Sequence, residues 1–206
     1  MNPAQAAPSV KQELCKRVIA QRELLSPDAR AAYSAAITER LLKLPEYRQA
    51  SAVLGYMNFG AEFASEFWIQ QVLADGKRLA LPRVNRHTNQ LDLYWVNDLA
   101  NQLEPGLWGI REPVVERCDR LTTPNAVEFV LLPGVAFTRD GARLGYGGGF
   151  YDKLIARLDD EGKVAQRPTL VAGAYSMQIV ERVPQEATDR KVQWLVTENE
   201  TVDCTA

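Results

Sequence analysis

The chain alternates short apolar runs with segments of helical period, and that alternation restricts it to a layered α/β architecture. Ala52–Phe59, Arg78–Leu81, Leu91–Val96, Val127–Leu132, Leu170–Ala174 and Val192–Val196 have strand length and little polar interruption, as strands covered on both faces do. Pro82 closes the second run, and the polar stretch Asn85–Gln90 reads as a turn before the third. Helical spacing fills the intervals. From Ser9, the residues Val10, Leu14, Val18 and Leu25 fall near one face, with Lys11, Lys16, Arg17 and Arg22 interspersed. Ser26-Pro27 reads as an N-cap followed by a proline in the first turn of a helix. That helix carries Tyr33, Ile37, Leu41 and Leu44 inward and stops at Pro45. Phe63–Leu73 predicts a helix ended by Gly76, and Phe150–Leu158 another. Asn97–Pro124, with prolines at 105, 113 and 124, reads as connective. Helices set between strands imply crossovers, hence a mainly parallel or mixed sheet. The 206 residues suit one domain, 1–206, with 1–8 as a flexible lead-in.

The most informative segment is Arg143-Leu144-Gly145-Tyr146-Gly147-Gly148-Gly149-Phe150-Tyr151-Asp152. Four of the five residues from Gly145 to Gly149 are glycine, directly before the helix predicted from Phe150. Without Cβ atoms the backbone can curl so that successive N–H groups face one concavity. A following helix N-terminus makes that concavity a phosphate cradle. Arg143 adds a positive charge, and Asp152 a carboxylate suited to Mg²⁺ or a hydroxyl. The spacing matches neither GxxxxGK[ST] nor the dinucleotide fingerprint.

Other candidates are weaker on spacing alone. Glu62 follows the run Ala52–Phe59, which puts it where open α/β sheets bind ligands, beyond the strands' carboxyl ends. A solvated glutamate in a first helical turn fits the same spacing. Asp189 reads as an ordinary loop or capping residue, and His87 as an exposed turn residue. Tyr56, Phe59, Trp108 and Tyr151 could stack on a flat heterocycle, although aromatic residues at strand ends usually pack core or rim. Lys11, Lys16, Arg17 and Arg22 form a basic helix face of the kind that is usually solvated.

A net charge of −2 gives no general attraction to nucleic acid or membrane, so any anion site must be local. Cys15, Cys118 and Cys204 share no metal-ligand spacing, and with a lone histidine they do not suggest zinc. No signal-peptide core or membrane-length apolar stretch is present, so a cytoplasmic protein with reduced thiols is expected.

The run Leu132-Pro133-Gly134-Val135-Ala136-Phe137, then Asp140-Gly141, then Arg143 to Asp152, closely resembles the signature of the 5-formyltetrahydrofolate cyclo-ligases, also called methenyltetrahydrofolate synthetases. Lys11 and Arg22, Tyr56-Met57-Asn58-Phe59 leading to Glu62, Leu81-Pro82-Arg83, Gly109 to Pro113 and Thr197-Glu198 fall in that family's order. The resemblance implies a three-layer α/β/α sandwich similar to the sugar-phosphate isomerase and CoA-transferase group. It implies an enzyme of one-carbon metabolism that uses MgATP to cyclise 5-formyltetrahydrofolate, with or without a polyglutamate tail, to 5,10-methenyltetrahydrofolate; a monomer is expected. By the same resemblance Lys11, Arg143, Leu144, Gly145, Tyr146, Gly147, Gly148, Gly149, Phe150 and Tyr151 would hold ATP. Tyr56, Met57, Glu62, Trp108, Tyr151 and the loop glycines would hold the folate, with Glu62 on the pterin. Asp152 and Asp189 would bind Mg²⁺, and Arg143, Tyr151 and Asp152 would serve catalysis. One position departs from the pattern: Cys15 stands where a second basic residue, commonly arginine, is usual. A non-catalytic folate-binding homologue is the alternative that this position raises.

Overall fold

The computed structural model describes residues 9–123, 126–160, 167–185 and 189–206; the lead-in 1–8, Pro124 and Glu186-Ala187-Thr188 lie outside the described residues. In chain order the helices are α1 (Val10–Glu23), α2 (Pro27–Lys43), α3 (Pro45–Gln49), α4 (Ser65–Ala74) and α5 (Phe150–Asp160). The strands are β1 (Ala52–Leu54), β2 (Arg78–Asn85), β3 (Gln90–Val96), β4 (Leu103–Pro105), β5 (Arg111–Pro113) and β6 (Phe129–Leu132). They continue with β7 (Ala136–Phe137), β8 (Arg143–Leu144), β9 (Thr169–Gly173), β10 (Trp194–Val196) and β11 (Thr201–Asp203).

Seven strands form the main sheet in the order β11-β10-β9-β6-β1-β2-β3. Its centre, from β10 to β2, is parallel, and the edge strands β11 and β3 pair antiparallel. Alternation along β6 divides the core. Phe129 and Leu131 face α2, α3 and α4, while Val130 and Leu132 face α5. Phe129 lies 5.8 Å, centroid to centroid, from both Tyr47 and Trp68, so truncating it to alanine would cost about 3–5 kcal/mol. Helices therefore cover both faces, the three layers expected. A third apolar cluster joins Leu14 and Val18 of α1 to Val135, Ala136, Ala142 and Leu144, which docks α1 on the β7–β8 hairpin.

Several elements differ from the sequence reading. Strand β1 ends at Leu54, because the Tyr56 carbonyl is taken by the Ser65 hydroxyl instead of a neighbouring strand. Pro82 does not end β2. The Ala80 carbonyl faces β1 and accepts from Gly55, so Pro82, two residues on, turns its missing N–H to the side where β1 has stopped. Pro45 ends α2 and also opens α3, where its fixed φ suits a first helical position. The connective stretch 97–123 contains the β4–β5 hairpin, and β7–β8 and β11 are pairings the sequence reading lacked. On α1, Val10 is exposed and Leu25 lies beyond the helix end, whereas Arg22 is buried. Among the described residues no helix is long and apolar enough to cross a membrane.

Candidate active site

The chain leaves β1 toward β2 on one side, and β6, β9 and β10 fill the other. A crevice therefore opens between β1 and β6 at their carboxyl ends. The segments leaving those two strands, Gly55–Glu62 and Pro133-Gly134, border a cavity of about 560 Å³. Lys11, Tyr56, Met57, Glu62, Trp108, the residues from Arg143 to Asp152, and Asp189 all line it, so the structure brings every candidate site residue into one place.

One wall is the glycine-rich loop between β8 and α5. Gly147 and Gly149 take φ of +94° and +64°, and a Cβ at either would meet nothing within 4 Å. Glycine is required there by backbone conformation, and the space beside the loop is free for a ligand. Arg143 is buried; its Nη1 donates to the Pro133 carbonyl at 3.2 Å and its Nη2 to Asp152 Oδ1. The arginine and aspartate expected at phosphate and metal are thus paired with each other, and this fixes the start of α5 beside the loop. The Asp152 side chain keeps 35% exposure, which leaves it available to the cavity. Cys15 donates from Sγ to the Gly145 carbonyl at 3.6 Å, and burial pushes its thiol up, so it stays protonated and neutral. Lys16 and Arg17, the other cations nearby on α1, are exposed.

The adjoining wall follows β1. Glu62 is buried, not the solvated helix-start residue that spacing equally allowed. Its backbone N–H donates to the Phe59 carbonyl at 3.2 Å, and its Oε2 accepts from the Phe59 N–H at 2.7 Å. Gly60, at φ +56°, makes that tight turn possible. Burial pushes the Glu62 carboxyl above the usual carboxylate range, against the pull of the Phe59 N–H, the Tyr146 hydroxyl and the Arg22 charge. Burial likewise drives the Tyr56 and Tyr151 hydroxyls up, with the Glu62 charge adding to it, so both remain neutral donors. From behind, the Tyr175 hydroxyl donates to the Glu62 carbonyl at 3.0 Å and lies 3.1 Å from Ser34 Oγ.

The outer wall is the β4–β5 hairpin, which carries Trp108. This tryptophan is 63% exposed and sits at φ +59°, a left-handed conformation that costs a bulky residue about 1–2 kcal/mol. Glu112 fastens the hairpin to the sheet. Its Oε1 accepts from the Val84 N–H at 3.2 Å, a donor on the edge that β1 has vacated. A Cβ at Gly106 would meet Glu112 at 2.2 Å, so the hairpin closes tightly around that carboxylate.

Sequence reasoning named Arg22 only within a basic helix face and the family's order, and Glu112 only within the run Gly109 to Pro113, and gave neither a place in the site. No local pattern marks a buried glutamate within Gly109–Pro113. Arg22 did carry a signal, since it lies four residues beyond Val18 on the inward face of α1. Asp152 and Asp189 offer hard oxygen donors, and Mg²⁺ typically uses one or two carboxylates with substrate phosphates, so the residues fit that ion. Among the described residues no group of three or more His, Cys, Asp or Glu forms a closed metal cage.

The family model for 5-formyltetrahydrofolate cyclo-ligase matches residues 7–198. The chain is 26% identical over 195 residues to the mouse (Mus musculus) 5-formyltetrahydrofolate cyclo-ligase, covering 93% of this chain and 95% of that one. It is 29% identical over 153 residues to the enzyme of the same name from Haemophilus influenzae, covering 74% and 79%. The solved structure of Aquifex aeolicus 5,10-methenyltetrahydrofolate synthetase superposes with a TM-score of 0.80 at 35% identity, over 96% of this chain and 94% of that one. A synthetase from Mycoplasma pneumoniae shares the fold, with a TM-score of 0.70 at 18% identity over 92% and 99%.

Proposed function

The chain belongs to the 5-formyltetrahydrofolate cyclo-ligase family, and on that premise we propose that its cavity performs the ATP-dependent closure of 5-formyltetrahydrofolate to 5,10-methenyltetrahydrofolate. One observation carries the reading: a single cavity joins a glycine-rich loop at a helix start, with carboxylates beside it, to a buried glutamate among aromatic rings. A formyl oxygen is a poor leaving group until it is phosphorylated, so a phosphate site must adjoin the folate site.

In the proposed sequence the formyl oxygen attacks the γ-phosphate and ADP leaves. N10 then attacks the formyl carbon and gives up its proton, and the C–O bond breaks to release phosphate. The protein's contribution is positioning and charge stabilisation. The N–H groups of Gly145–Gly149 and the start of α5 hold phosphates, with Lys11 reaching in from α1. Arg143 keeps Asp152 in place and lends positive potential to the loop. Asp152 and Asp189 would hold Mg²⁺, which when bound would offset phosphate charge. Glu62 accepts hydrogen bonds from the pterin. Tyr56, Met57, Trp108 and Tyr151 close around the ring system and exclude water.

Cys15, the residue behind the non-catalytic alternative, leaves the loop closed, since its thiol caps the Gly145 carbonyl. We place the enzyme in the cytoplasm as a monomer; fractionation and sedimentation test those two points. The activity is tested with purified protein, 5-formyltetrahydrofolate and MgATP. Growth of the near-ultraviolet absorbance of a methenyl folate, dependent on ATP, is expected. Folded protein that forms no such product with ATP present rejects the reading.

A further inference from the structure

Helix α1 meets the glycine-rich wall at more than one point. Lys11, Cys15 and Arg22 share a face, four and seven residues apart. Lys11 lines the cavity, Cys15 caps Gly145, and Arg22 Nη2 donates to the Tyr146 hydroxyl at 2.7 Å. Arg22 is 3% exposed, and its guanidinium carbon stands 5.8 Å from the centre of the Tyr146 ring. Its Nε and Nη1 have no hydrogen-bond partner among the described residues.

A buried cation with unmet donors does not repay its desolvation through packing. An apolar side chain of similar length would serve stability as well or better. The position therefore calls for a role beyond the fold, and its contacts indicate one. The Tyr146 hydroxyl accepts from Arg22, and Tyr146 and Glu62 line the same cavity, where the charges of Arg22 and Glu62 act on one another and on that hydroxyl. Tyr146 belongs to the loop assigned to phosphates, while Glu62 belongs to the wall assigned to the pterin.

We propose that Arg22 is a positioning residue for the cyclisation: it fixes the Tyr146 hydroxyl in the cavity that Glu62 also lines, and so ties the phosphate loop to the folate wall. This rests on the cyclo-ligase reading. It also accounts for Cys15, because α1 supplies the loop with a cation two turns further along.

The test compares full-length wild-type protein with Arg22→Met, Arg22→Lys, Tyr146→Phe and the Arg22→Met/Tyr146→Phe double variant. Arg22→Met is expected to raise the KM for 5-formyltetrahydrofolate about tenfold, with kcat and the KM for ATP moving less than about threefold. Arg22→Lys recovers most of that loss. Tyr146→Phe reproduces it, and the double variant is no worse than the worse single, as expected of residues acting in one chain. The melting temperature of Arg22→Met stays level or rises, which a purely structural arginine would not allow. An unchanged folate KM in folded Arg22→Met, or losses that multiply in the double variant, overturns the inference. If Arg22→Met does not fold, Tyr146→Phe alone decides, since its hydroxyl is the only group removed. Calorimetry with 5-formyltetrahydrofolate and no ATP separates the two levels. Wild-type protein that binds folate but forms no product rejects the cyclo-ligase reading, whereas equal folate affinity in wild type and Arg22→Met rejects only the role of Arg22.

Discussion

Two walls of the same cavity use left-handed backbone in opposite ways. In the loop between β8 and α5, Gly147 and Gly149 adopt positive φ where glycine does so without strain, and the backbone faces open space. In the β4–β5 hairpin, Trp108 adopts it with a bulky, exposed ring, immediately before Gly109, which has the same sign of φ. In the proposed site the loop would offer backbone amides to the ligand. The strained hairpin would offer a side chain. An exposed aromatic residue in a strained conformation, on a hairpin fastened by a buried carboxylate, is a surface held ready for a partner. The difference teaches that the loop should govern ATP and metal, and the hairpin and Glu62 the folate.

Substitutions can break or sharpen that division, the largest effect coming first. Asp152→Asn removes a metal-ready carboxylate and leaves Arg143 without its charged partner, so kcat should fall about a hundredfold or more. Steady-state rates across a Mg²⁺ titration check this, and a normal rate at low Mg²⁺ would free Asp152 from the metal site. Glu62→Gln should raise the folate KM about tenfold while leaving the KM for ATP within about twofold. A larger change for ATP would merge the two walls.

Glu62 also gives a pH signature. Its carboxyl is raised by burial, so the fold holds the protonated form more tightly than the unfolded chain does. Stability from this group is therefore present at low pH and is lost as pH rises from the ordinary glutamate value through the raised one. Glu62→Gln escapes that loss, so its gain in melting temperature should be larger at about pH 8 than at about pH 5. Folate affinity of the wild type should run the other way, falling on acidification at a higher pH than an exposed glutamate would produce. Equal melting shifts at both pH values would contradict the burial argument.

Smaller effects follow from the two left-handed sites. Gly147→Ala introduces strain of about 1 kcal/mol, enough to raise the KM for ATP about fivefold with the folate KM unchanged. Trp108→Gly relieves about 1 kcal/mol, which should lift the melting temperature by about 2–4 °C while raising the folate KM about threefold. A Trp108→Gly enzyme with lower stability, or with a changed KM for ATP, would remove the contrast between the walls.

Much of this was legible in the chain. The unbroken apolar run of β6, the proline opening α2 and the glycine that ends α4 are local signals, and each marks its element. The loop's glycines and the helix after them are likewise a local pattern, and the expectation of an anion site rests on it. Glu62 was only half legible. Its spacing placed it at a strand's end, but burial was decided by Tyr175 and Phe59 closing around it. The β4–β5 hairpin was unreadable because strands of three residues carry too little periodicity to stand out from turns.

By itself, then, the sequence determined the layering, the run of glycines before a helix and the family, because those depend on spacing between near neighbours and on a run of specific residues. Only the tertiary structure decided that Arg143 pairs with Asp152, that Pro82 can sit inside β2, and that Arg22 reaches Tyr146. Each of those depends on where a distant segment stops or packs. The end of β1 vacates an edge, and the docking of α1 on the β7–β8 hairpin carries a guanidinium to a residue 124 positions away. No local pattern encodes such a meeting, because its energy arises from burial of groups that become neighbours only when the chain has folded.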